Sequence, residues 1–156
     1  MGIEQARAYL QQWGIQDQIL EFDSSSATVE LAAQALHCEP GRIAKTLSFL
    51  VDGEAFLVVA AGDTKIDNAK FKAQFHTKAK MLTPQQAVDL VGHAVGGVCP
   101  FGVKDGVKVY LDVSLQRFNI VYPACGSSNS AIALTPSQLE QYSGSLGWID
   151  TCKLRT

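Results

Sequence analysis

Apolar residues recur at helical spacing from the start of the chain. Ile3, Ala6, Leu10 and Trp13 share one stripe, and Gly14 follows as a stop. "ILEF" at 19–22 reads as a short strand, and "SSSA" leads into a helix with Val29, Ala32 and Leu36 on one face. "CEPGR" breaks that helix, and the period then shortens. Residues 46–51 and 55–61 read as strands joined at Asp52-Gly53, a hairpin signal. "AFLVVAA" is apolar throughout, which predicts a strand covered on both faces. "GDTKID" reads as the loop after it, with Asp67 capping a helix that carries Phe71 and Phe75. "TPQQ" (83–86) and "TPSQ" (135–138) each offer a threonine N-cap, proline at the first helical position and glutamine at the third. Between them come a turn at Asp105-Gly106, a strand "VKVYL", a short "DVSLQRF", and strands at 120–124 and 131–134. A last strand is expected through Trp148 to Cys152. Helices mixed with mostly hairpin-linked strands predict an α+β class with a mixed sheet, and residues 1–156 read as a single domain.

Composition narrows the partners. Of 156 residues, 47% are hydrophobic and 18% charged, enough for a packed core and too apolar for disorder. The formal net charge of −2 gives no global sign of a nucleic-acid partner, so a polyanion would have to meet a local patch. Residues 63–80 offer one: Lys65, Lys70, Lys72, Lys78 and Lys80 face Asp63 and Asp67, a local net of +3. A solvated helix face explains the same run equally well. Cysteines at 38, 99, 125 and 152 form no C-x-x-C, and with three scattered histidines they spell no zinc site, so no metal is expected. The first residues lack a signal-peptide pattern, and no apolar run approaches transmembrane length. A reducing cytoplasm and no membrane partner are the expectation.

Candidate chemistry is sparse. There is no G-x-S-x-G and no H-E-x-x-H, and "GDTKID" lacks the G-K-[ST] ending of a phosphate loop. Cys99 and His93 could form a thiol–imidazole pair, but two glycines separate them and nothing supplies an orienting third group. A buried, inert cysteine is the commoner state. Lys45 is a better clue. It opens "KTLSFLV", where alternation puts it on the apolar face with Leu47, Phe49 and Val51. An ammonium there must snorkel out, pair, or point into a cleft. "GGVCPFG" (96–102) can aim backbone N–H groups at a carbonyl oxygen without any side chain. Taken alone, it reads more readily as a tight connection in which glycine merely fits.

"KTLSFLV", "LVVAAGDTKID", "VGGVCPFG" and "GSSNSAIALTPSQL" occur in the order and spacing of the YbaK/ProX-like proteins, which resemble the editing insertion domain of bacterial prolyl-tRNA synthetases. The resemblance runs from about Phe22 to Tyr142. It implies a single α+β domain with a mixed sheet wrapped by helices, and a free-standing trans-editing hydrolase that deacylates a mischarged aminoacyl-tRNA. It implies no cofactor. The partners it implies are the acceptor end of a mischarged tRNA and, as a further candidate, an aminoacyl-tRNA synthetase. By position Lys45 resembles the family's essential lysine, and Gly96, Gly97, Val98, Cys99 and Pro100 resemble its G-x-x-x-P loop, with Cys99 as filler. Phe22, the serines Ser24, Ser25 and Ser26, and Ser130 with Ala131 fall where the amino-acid pocket is expected. His93 joins these substrate-side positions where tyrosine is frequent, without a role carried over. Ala131 replaces the aspartate of the cysteine-specific branch, which argues against cysteinyl-tRNA as substrate. Lys65, Lys70 and Lys72 are the expected tRNA contacts. The alternative is a non-catalytic module that binds tRNA ends or a synthetase.

Overall fold

The computed structural model describes residues 2–155. Helix α1 (Ile3–Leu10) buries Ala6 and Leu10 and runs into a 3₁₀ turn that ends at Gly14. Strand β1 (Leu20–Glu21) precedes helix α2 (Val29–Leu36), whose first turn is capped by the Thr28 hydroxyl accepting from Leu31 N–H. Strands β2 (Ile43–Val51) and β3 (Glu54–Ala61) pair antiparallel. The turn between them has Asp52 and Gly53 both at positive φ, the geometry of a two-residue hairpin that matches strand twist. Strand β4 (Thr64–Ile66) and helix α3 (Asn68–Phe75) follow, the helix capped by Asp67 Oδ1 accepting from the Ala69 and Lys70 amides.

Both threonine–proline signals begin helices with complete capping boxes, α4 (Pro84–Gln86) and α5 (Pro136–Ser143). α4 differs from an ordinary helix in its continuation: Ala87–Val91 widens to a π turn closed by Gly92 N–H donating to Ala87 O at 3.0 Å. The remaining strands are β5 (Lys108–Asp112), β6 (Tyr122–Pro123), β7 (Ser130–Ala131), β8 (Trp148–Ile149) and β9 (Cys152–Leu154).

The five-stranded sheet has the order β6-β2-β3-β5-β8; only the β2–β3 pair is antiparallel, so the sheet is mixed and the class is α+β. β3 is central. Leu57, Val59 and Ala61 pack on one side with Leu10, Phe101 and Leu139, while Phe56 and Val58 pack on the other with Phe71 and Ile149. Cover on both faces is why β3 carries no polar residue after Glu54. Burying each of these large apolar side chains contributes about 1.5–3 kcal/mol.

Two expectations need correction. "GDTKID" is more than a loop: Thr64–Ile66 forms β4 and pairs antiparallel with β9. The single last strand is split, with β8 on the main sheet and β9 on this separate ribbon. The break falls at Asp150 and Thr151, where Thr151 N–H and hydroxyl both donate to buried Asp112 Oδ1. That anchor turns the chain away from the main sheet.

Candidate active site

Among the described residues, β2 is paired along its outer edge at both ends and not between them. β6 pairs with it at Ile43 and Ala44. Further along, Leu50 N–H donates to Lys80 O at 2.8 Å and Leu82 N–H donates to Ser48 O at 3.1 Å. These bonds show that the backbone groups of Ser48 and Leu50 face outward, so by alternation those of Thr46 do too. Thr46 therefore faces the gap. A cavity of about 380 Å³ opens there, with Lys45, Thr46, Leu82, Gly96, Val98 and Ala131 in its wall. Ser26, Ala27 and Thr28 close another side.

Lys45 reaches the cavity from between two apolar groups on its face of β2. Ile43 packs with α2, while Leu47 and Phe49 pack with α3. Its ammonium donates to the Thr64 carbonyl and makes no ion pair with a carboxylate among the described residues. Burial lowers its pKa first and the Arg155 guanidinium lowers it further, partly offset by Asp63 and Glu30. The Thr64 carbonyl is held in a braced turn. Asp63 next to it accepts two bonds from Arg117, at 2.6 and 3.0 Å, and Thr64 Oγ1 donates to Ala61 O at 2.6 Å.

The glycine loop forms the facing wall. Gly96 has φ 92°, and a Cβ there would lie 3.6 Å from the Cβ atoms of Ala27 and Ser128. Gly97 lies so close to the 126–127 backbone that a Cβ would sit 2.7 Å from Gly126 O. Gly97 N–H is spent on Ala94 O at 3.0 Å. The amides of Gly96, Val98 and Cys99 have no acceptor among the described residues, and of these residues Gly96 and Val98 line the cavity. Two amides without an acceptor among the described residues and the half-buried Lys45 thus belong to the wall of one cavity, which has no carboxylate in its lining.

The other expected residues divide sharply. Ser26, Ser130 and Ala131 border the cavity; Phe22, Ser24 and Ser25 do not. Phe22 is bound through its backbone to Asn129, accepting from Nδ2 at 2.9 Å and donating to O at 2.8 Å. It ties the 22–26 segment to the 128–131 turn behind the wall. The Ser130 hydroxyl is committed inside that turn, 2.7 Å from Ser127 Oγ and accepting from Cys125 N–H at 3.3 Å.

Cys99 and His93 are placed in the core, away from the cavity, and both are 0% exposed. His93 Nε2 lies 2.8 Å from Phe101 O, and since a carbonyl only accepts, Nε2 carries the proton. Nδ1 is then a bare acceptor without a partner among the described residues. Cys99 Sγ donates to Phe101 O at 3.5 Å, and burial pushes its thiol up to about 12. Pro100 and Gly97 support the turn from outside the cavity lining. Of the expected tRNA contacts, Lys65 is exposed on β4, Lys70 is bound to Asp150 and to Cys152 O, each at 3.0 Å, and Lys72 lines a second cleft with Lys78 and Asn68.

Thr46 was not legible as a site residue. Its Oγ1 is buried without a partner among the described residues, and its place in the cavity wall depends on a gap between two long-range pairings. Neither pairing leaves a trace in the residues around 46.

The model of the aminoacyl-tRNA editing domain matches residues 23–142. The chain belongs to this family. Similar to this editing-domain chain over 98% of both lengths, at 51% identity, is YwhH of Bacillus subtilis (strain 168), a protein without a characterised function. A proline–tRNA ligase of Staphylococcus epidermidis is 33% identical over 93 residues, 59% of this chain and 16% of the ligase. The editing-domain chain thus corresponds to a small part of that enzyme. A solved structure described as a candidate trans-editing enzyme for prolyl tRNA synthetase superposes with a TM-score of 0.87 at 28% identity, covering 97% of this chain and 96% of the other. No helix among the described residues is long and apolar enough to cross a membrane.

Proposed function

We propose that residues 1–156 form one free-standing editing domain that hydrolyses the ester of a mischarged aminoacyl-tRNA. The observation that carries this reading is that Lys45 and the unspent amides of Gly96 and Val98 belong to one cavity, in a chain of the editing-domain family. An aminoacyl ester is activated by the neighbouring ribose hydroxyl, which also orients the attacking water. The protein then has to supply position and charge rather than a nucleophile. In this reading Gly96 and Val98 N–H receive the carbonyl oxygen as it gains negative charge. Lys45 holds a substrate oxygen or phosphate, its charge strengthened by the apolar wall behind it. Thr46, at the unpaired strand edge, offers a carbonyl to the substrate's α-ammonium in place of the missing carboxylate. The small residues Ala44, Ala124 and Ala131 and the Ser48 hydroxyl around the cavity favour a small amino acid such as alanine, serine or threonine. The 22–26 segment then shapes the pocket through Ser26 and supports it through Phe22. The substrate places the reaction with translation in the cytoplasm, and a synthetase is a further partner.

The test is a deacylation panel with purified protein and tRNAs mischarged with amino acids of graded size. Turnover of small aminoacyl groups supports the reading. Preferred turnover of a bulky one overturns the specificity, and tight binding without turnover of any favours a tRNA-end or synthetase-binding module.

A further inference from the structure

The ribbon made by β4 and β9 continues directly from the turn that holds Lys45. Its register sets Lys65 opposite Lys153, and both are exposed. Like charges in facing positions destabilise a strand pair. One step along, Arg155 N–H donates to Asp63 O at 2.9 Å, so alternation puts the exposed Arg155 side chain on the same face as Lys153. The carboxylates nearby are committed elsewhere. Asp63 is taken by Arg117, and Asp67 caps α3. Lys65, Lys153 and Arg155 form no ion pair among the described residues. The Lys45 ammonium rests on the carbonyl of Thr64, the first residue of β4, so the ribbon starts at the lysine that lines the cavity. Lys153 and Arg155 lie beyond the stretch that matches the editing-domain family, and this part of the site belongs to the chain's own C-terminal strand.

We propose that the β4–β9 ribbon is the docking surface for the single-stranded phosphodiester chain that carries the ester, with Lys65, Lys153 and Arg155 paired to its phosphates. This rests on the editing reading above. An ester held in the cavity is the end of a polyanion, and the negative charges next to it must leave past whatever surface adjoins Lys45. A facing lysine pair that costs stability in the free protein is relieved when a phosphate sits between the two ammonium groups. An acidic protein partner would not require the cations to lead into the cavity.

The experiment is fluorescence anisotropy with a labelled single-stranded RNA ending in CCA, over a range of salt concentrations. The double variant K65Q/K153Q is compared with K104Q/K108Q, which removes the same charge elsewhere. Lys108 stands at the hairpin end of the sheet, across from Phe56. The ribbon variant is expected to bind about tenfold more weakly at low salt, and its plot of log K against log salt should flatten by about 1.4, for two lost phosphate contacts on a single strand. It should also melt no lower than wild type, because a like-charge pair is gone. The control should bind as wild type does. Equal affinity in wild type and ribbon variant, or equal loss in both doubles, overturns the proposal. Hydrolysis of a minimal aminoacyl-adenosine ester is measured in parallel. Unchanged turnover of that ester in the ribbon variant confines the effect to the RNA chain. If wild type fails to turn over any ester while the ribbon effect on RNA persists, the hydrolase reading falls and the docking surface stands.

Discussion

Two places among the described residues invite a chemical reading, and they differ in almost every physical respect. Cys99 and His93 lie 3.6 Å apart, the closer match to a nucleophile and its base. Both are sealed in the core, the thiol is held protonated by burial, and burial also lowers the His93 pKa, only partly offset by its bond to Phe101 O. Lys45 and the amides of Gly96 and Val98 offer no nucleophile at all, yet these residues line an open cavity, the two amides without an acceptor among the described residues and the lysine half-buried. Proximity in the first pair serves packing, since both side chains converge on the Phe101 carbonyl and hold the loop's far end. Access and electrostatic bias in the second serve chemistry. A reactive side chain is therefore better recognised by what water and substrate can reach than by which residue stands beside it.

The strongest way to break this comparison is Lys45→Ala. Deacylation should fall by about 100-fold or more, by analogy with losing a preorganised oxyanion donor. Stability should change far less than activity, because losing the bond to the Thr64 carbonyl is offset by removing a half-buried charge. The sign follows from linkage. Lys45 has a lowered folded pKa, so the unfolded chain binds the proton more readily, and the charged residue is a cost to folding below the folded pKa. That cost is relieved as pH rises toward the unfolded value. Activity that needs the ammonium should decline on the alkaline side at a lower pH than an ordinary lysine would give. Arg155→Gln should move that decline upward, because Arg155 is one of the causes of the lowering. A pH–rate profile of wild type and variant checks both points, and an unaltered rate in Lys45→Ala would remove the lysine from the mechanism.

A smaller effect is expected at the glycine wall. Gly97→Ala forces a methyl group to 2.7 Å from Gly126 O and 2.8 Å from Ser127 Cα. The backbone must shift, at a cost of about 1–3 kcal/mol in stability. Because the same shift moves the Gly96 and Val98 amides, kcat should fall more than KM rises. Thermal melting with steady-state kinetics reads both, and a variant that melts lower with unchanged kcat would detach the loop from catalysis.

The smallest change should come from Cys99→Ala. Losing one buried sulfur costs about 1 kcal/mol of packing, while deacylation stays of the same order as wild type. In the folded protein Cys99 should resist iodoacetamide at neutral pH, as a buried thiol with its pKa pushed up to about 12. Mass spectrometry after timed alkylation checks this. Rapid labelling of Cys99 together with loss of activity would reverse the comparison and return the thiol to the active site.

Local chemistry was enough for much of the architecture. The Thr-Pro-x-Gln boxes, the Asp52-Gly53 turn and the Asp67 cap each act within four residues, so they read directly as helix starts and a hairpin. The unbroken apolar run of β3 likewise announces a strand buried on both faces. Lys45 was legible as a residue needing an exit, because alternation alone sets it among Leu47, Phe49 and Val51. What the tertiary structure decided is everything that depends on partners distant in the chain. Only the fold shows that Lys45 rests on the Thr64 carbonyl, that Thr46 faces a gap between β6 and residues 80–82, and that the Cys99 thiol points inward. Lys65 and Lys153 are 88 residues apart and become neighbours through one register of β4 on β9. The reason is physical: caps and turns are satisfied by atoms already nearby, whereas an open strand edge or a facing pair of cations exists only after the core has chosen which strands meet.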